Sequence, residues 1–164
     1  MVAGYLGSLG VTMRATEIDS LLNNLDGRGS DREWEAVKQL RGLREFPEHL
    51  LRHYRRSRRF GARAACVYHC APFADSNQSA LTLGILALED KSKVVRYRAA
   101  LLLAIAQKTE AIPALEAMRQ RHQSNESAED AVAAITAIRT KNRNRFVDRE
   151  NSGMVTLNIE NVAP

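Results

Sequence analysis

Two clusters of side chains in this sequence have types and spacings that could do chemistry. The first is Cys66, His69 and Cys70, with His49 and His53 upstream. Members of each like pair stand four residues apart, so each pair shares a face if its segment is helical. Two antiparallel helices turning near Ser57 would set His49 level with Cys66. Two imidazoles and two thiolates form the tetrahedral set that zinc prefers. The alternative chemistry is a thiol nucleophile, Cys66 or Cys70, with its pKa lowered by nearby arginines and His69 as base. Against both, the chain holds no CxxC and no HExxH, and adjacent residues such as His69 and Cys70 point in different directions on one helix. The plainer reading is two small core thiols, with His49 and His53 at the surface.

The second cluster is basic. Residues 52–63 hold Arg52, His53, Arg55, Arg56, Arg58, Arg59 and Arg63, and the whole chain has 19 Arg against 5 Lys. The guanidinium is a planar fork that grips carboxylate or phosphate through two parallel bonds, as Lys cannot. Arg52, Arg55, Arg56, Arg59 and Arg63 are therefore candidate binding residues for an acidic protein or a nucleic acid. A solvated turn neutralised by acids such as Glu45 and Glu48 is the competing account. Aromatics near this stretch are few, namely Tyr54, Phe60 and Tyr68, and Phe60 is expected in the core. A stacking platform for bases wants more exposed rings. No G-x-S-x-G, P-loop or dinucleotide-binding glycine turn is present.

The elements that must position these groups read as helices. Ile18, Leu21, Leu22 and Leu25 follow the i, i+3, i+4, i+7 spacing, and residues 26–29 (DGRG) break it. Ser30 and Glu33 predict a capping box, with Glu33 reaching back to the cap. Pro47 and Pro113 fit first helical turns, where a missing N–H costs nothing. Further helices are expected at about 60–70, 76–89, 92–107, 110–122 and, with Ser127 and Asp130 as a second capping box, on to about 141. That makes eight helices with short connections.

The pattern repeats. Arg63-Ala64-Ala65, Arg98-Ala99-Ala100 and Val132-Ala133-Ala134 lie 35 and 34 residues apart. Paired small residues let a helix approach its neighbours closely, and a helix pair that cannot bury both faces alone must stack on others. Residues 86–115 carry the fullest version: Leu88-Glu89-Asp90, then Val94-Val95-Arg96, then Ala99-Ala100, then Ala111-Ile112-Pro113-Ala114-Leu115. This resembles the HEAT-repeat family over about residues 45–141. Gly61-Ala62 and Ala131-Val132 replace Val-Arg in the other two copies, and the pair at 16–44 is assigned by pattern only. The resemblance implies a right-handed α-α superhelix, a solenoid of about four helix pairs whose concave face is lined by the second helices. It also implies turn and inter-repeat roles for Asp90 and Arg96, which makes Arg96 a further candidate binding residue.

The full chain has 164 residues and a formal charge of +5, with 45% apolar and 26% charged residues. That is enough to bury a core without a metal or disulfide. The longest apolar run, residues 99–106, is far short of the about 20 residues that span a bilayer. Residues 1–13 have no basic, apolar signal-like layout and read as a loose N-terminal arm. The two cysteines read as reduced, cytoplasmic thiols. The helical domain is expected at 14–145 and an extended or disordered tail at 146–164. There Val155, Leu157 and Ile159 alternate with polar residues as in a strand, free to lie on the last helix, on the arm, on a partner's sheet or on another copy of the chain. Together these readings predict a non-enzymatic protein-binding module without a cofactor, such as an adaptor, a regulator or a toxin-neutralising immunity protein. A nucleic-acid-binding protein using the arginine edge is the alternative, and a metal-site or thiol enzyme the second alternative.

Overall fold

The structure, a computed structural model, describes residues 12–159. The fold is all-α. Among the described residues there are eight α-helices and no strand: α1 Ala15–Leu22, α2 Asp31–Leu40, α3 Phe46–Arg56, α4 Phe60–Cys70, α5 Gln78–Ala87, α6 Lys93–Ala106, α7 Ile112–Arg121 and α8 Glu126–Arg139. Short 3-10 turns follow α4, precede α7 and follow α8. The arm reading falls almost wholly outside the described residues.

Local chemistry explains most boundaries. The Ser30 hydroxyl accepts from the Glu33 amide at 3.2 Å, and the Asn77 side chain accepts from the Ser79 and Ala80 amides. Pro47 and Pro113 sit in the first turns of α3 and α7. Two capping expectations need correction. The Glu33 carboxylate does not return to Ser30 but accepts from the Asp26 and Gly27 amides at 3.0 and 2.6 Å. The cap of α8 is Asn125, whose side chain accepts from the Ser127 amide. The Ser127 hydroxyl instead accepts from Arg96 Nε at 3.0 Å, and Asp130 pairs with Arg149 at 2.6 Å.

Consecutive helices pack as pairs, α1 on α2, α3 on α4, α5 on α6 and α7 on α8, and the last three pairs pack on one another through α4, α6 and α8. The alanine doublets make this possible. Ala64, Ala65, Ala99, Ala100, Ala133 and Ala134 are all buried, and such small side chains let helix backbones come close. Leu40, Phe46, Leu50, Leu83, Leu102, Leu103, Leu115 and Met118 fill the layers between them. At Gly84 a Cβ would run into Leu102 and Leu103, so the glycine sets the α5–α6 approach. Phe60 departs from expectation: it stands at the exposed start of α4, 59% accessible. Beyond α8, Phe146 is buried in the core against Tyr97.

Candidate interaction site

The cysteine–histidine cluster is not assembled as a metal site. Among the described residues no group of three or more His, Cys, Asp or Glu side chains is placed to hold a metal ion. Cys66 and Cys70 are free and fully buried in α4. Burial pushes both thiols well above the usual cysteine range, and the Glu33 charge adds to this for Cys66. Such thiols stay protonated and inert at neutral pH. No hydrogen bond joins His49 or His53 to either thiol, and they form no metal-holding group with them. Burial holds both imidazoles below the ordinary histidine value, and the arginines beside them push the same way.

His69 has a different role. Its Nε2 lies 2.7 Å from Glu33 Oε1, both side chains being shut off from solvent, while its Nδ1 is buried without a hydrogen-bond partner. Glu33 thus joins the turn before α2 to α4, and a carboxylate so placed in low dielectric is held by hydrogen bonds on both oxygens.

The arginine run divides by environment. Arg63, largely covered, forms a fork with Asp90: Nε donates to Oδ2 at 2.6 Å and Nη2 to Oδ1 at 3.0 Å. The Tyr54 hydroxyl and the Ser92 amide also donate to Asp90, at 2.8 and 2.9 Å. Arg96 is buried, its Nη1 donating to the Asp90 and Lys91 carbonyls and its Nε to Ser127. Arg63 and Arg96 therefore hold the turns and link one helix pair to the next. Arg56 meets Asp19 at 3.2 Å, and Arg59 Nη2 donates to the Asn23 carbonyl at the end of α1 at 3.1 Å. Arg52, Arg55 and Arg58 are exposed, and their side chains find no acceptor among the described residues. Arg55 and Arg58 rim an open depression of about 560 Å³ between the α3–α4 and α5–α6 turns, together with Leu86, Glu89 and Lys91.

A second surface escaped the sequence reading. Trp34 on α2 and Tyr68 on α4 are exposed by 37% and 46% and meet edge-on at 6.4 Å. Arg41 lies over Trp34 at 5.7 Å and Arg98 over Tyr68 at 5.2 Å. Such cation–π contacts keep a guanidinium over a ring at the surface, worth about 0.5–1 kcal/mol each. A signal was available: Trp34 and Tyr68 stand 34 residues apart, the same interval as the alanine doublets.

No protein family model, no curated protein and no solved structure matches this chain. No helix among the described residues is long and apolar enough to cross a membrane.

Proposed function

We propose that this chain is a non-enzymatic protein-binding module of the cytoplasm, built as a right-handed stack of HEAT-like helix pairs, that grips one acidic partner through its arginine edge. Adaptors, regulators and toxin-neutralising immunity proteins are of this kind. The stacking of α4, α6 and α8 and the 34–35-residue interval support the solenoid. The observation that carries the partner's charge is the contrast within one run: Arg63 is covered by its fork with Asp90, and Arg56 and Arg59, though exposed, each meet an acceptor of this chain, whereas Arg52, Arg55 and Arg58 present unpaired forks to solvent. Three exposed guanidiniums without an acceptor of their own match carboxylates on a facing surface.

The test is capture from the native host with the wild-type chain, and with the variant carrying Arg52→Glu, Arg55→Glu and Arg58→Glu. A stoichiometric protein partner held by the wild type and lost from the triple variant is expected, with unchanged helicity by circular dichroism. Equal capture by both would remove the edge from the interface. Nucleic acid is the second reading, favoured by the same guanidiniums and by the exposed Trp34 and Tyr68 rings.

A further inference from the structure

An open groove of about 600 Å³ lies along α8. It is bounded by α7, through Arg119 and Gln123, and by the segment after α8, through Arg145 and Arg149. That volume lies within the about 300–1,000 Å³ usual for small-molecule sites. The floor is apolar: Val132 is 45% exposed, with Ala128 and Ala133 beside it. In the other two alanine doublets the same position holds Arg63 and Arg98, whose guanidiniums meet Asp90 and the Tyr68 ring. Here a valine leaves apolar surface in place of a charge.

The three guanidiniums of the groove differ. Arg119 Nε meets Glu116 at 3.0 Å. Arg149 donates to Asp130 at 2.6 Å and to the Phe146 carbonyl at 3.4 Å. Arg145 has no such partner: its Nε and Nη1 are closed off from solvent and find no acceptor among the described residues. The nearby Asp148 does not supply one. Its carboxylate accepts from the Ser152 amide, the Ser152 hydroxyl and the Gly153 amide at 2.9, 2.8 and 2.7 Å. Those bonds hold its carboxyl below the usual range, and Arg145 adds to this only as a neighbouring charge. A cation that has lost water on two nitrogens without gaining an acceptor is unfavourable, and an anion at its open Nη2 end offsets that.

We propose that this groove binds a small carboxylic acid in its anionic form, its carboxylate on the Arg145 guanidinium and its apolar body along Val132. One carboxylate brings the single negative charge and the acceptor that Arg145 lacks. A doubly charged phosphate fits less well, because it wants a second unpaired cation. Arg119 and Arg149 already face acids, and the exposed Glu129 carboxylate, 3.8 Å from Arg149, repels the extra charge. The site shares no residue with Arg52, Arg55 and Arg58, so it and the arginine edge can fail separately.

The experiment titrates the isotope-labelled full chain at pH 7 with hexanoate, a carboxylate on a short apolar chain, and follows the backbone amides by NMR. Saturable shifts are expected at Val132, Ala133 and Thr136. Hexanamide, the uncharged counterpart, should bind at least about tenfold more weakly, the scale of one charge-assisted hydrogen bond. Arg145→Gln should weaken hexanoate binding by the same factor. Val132→Glu, at an exposed position of α8, should abolish it while the amides of α1 to α5 stay in place, and this variant decides where Arg145→Gln disturbs the fold. No saturation at these amides overturns the inference. So does equal binding of hexanamide, or unchanged affinity in either variant. Shifts that gather instead at Arg52, Arg55 and Arg58 would show that any surface guanidinium takes the acid, and overturn it too. Inorganic phosphate that displaces hexanoate at equal concentration would overturn the choice of a carboxylate.

Discussion

Asp90 sits in the turn between α5 and α6 and accepts hydrogen bonds from Arg63 on α4, Tyr54 on α3 and the Ser92 amide. Burial alone would push its carboxyl up, but the Arg63 fork and the other donors outweigh it, and the group is held below the ordinary carboxylate value. A lowered folded pKa makes the sign of the pH dependence definite. The Asp90 contribution is complete above the unfolded value of about 4 and is lost as pH falls through the lower folded value. Asp90→Asn should therefore cost about 3 kcal/mol at pH 7, the usual scale for breaking a buried pair and leaving its cation uncompensated. Urea titration at pH 7 and again near pH 2 checks it: the gap between wild type and variant should shrink at the lower pH. An equal gap at both would mean that Asp90 acts through shape and not through its charge.

Between elements, one tight approach is backbone on backbone. Gly27, at φ 75°, lies in the turn between α1 and α2, and Gly61 lies in the first turn of α4. A Cβ on Gly61 would overlap the Asp26 carbonyl, and one on Gly27 the Gly61 carbonyl. Helix propensity alone favours Gly61→Ala by up to about 1 kcal/mol. The contact reverses that sign, because the obstacle is main chain and cannot rotate away, and overpacking of this kind costs about 1–3 kcal/mol. Thermal unfolding of Gly61→Ala should show a clear loss of stability. A gain would show that α1–α2 can swing away from α4. The same pair of elements shows what the sequence discloses. The helices, the Ser30 cap and the proline starts were legible because each depends on neighbours within four residues. The doublet interval was legible because every helix pair needs the same close approach. Gly61 read only as a departure from Val-Arg, since its reason lies in a turn 35 residues upstream. Glu33 read as a capping residue because its true partner, His69, is 36 positions away. The arginine run was visible as charge, but its division into Arg52, Arg55 and Arg58 outside and Arg63 inside, like the burial of Arg96 on α6, depends on where Asp90 and the turn carbonyls come to rest.

For the whole molecule the question is whether a chain of formal charge +5 meets a polyanion or a single acidic face. The arithmetic of counterion release separates them. The three exposed guanidiniums without an acceptor of their own, Arg52, Arg55 and Arg58, could each displace about 0.9 counterion from duplex DNA, giving a slope of about −3 in log affinity against log salt. Affinity would then fall roughly 40-fold between 50 and 200 mM salt, from a value already weak, because nonspecific binding rests on phosphate contacts of this number and kind. Fluorescence anisotropy with a labelled random duplex should give a slope no steeper than about −3, abolished in the triple Glu variant. A slope of about −6 or beyond would require twice as many phosphate contacts as these three side chains supply. It would recruit Arg41 and Arg98 beside the Trp34 and Tyr68 rings, and nucleic acid would become the first reading. A protein partner responds differently to salt. Its attraction depends on carboxylates fixed opposite the three forks, so added salt should chiefly slow association while dissociation follows the packing of the interface. Stopped-flow mixing with the captured partner at the two salt concentrations reads that difference directly.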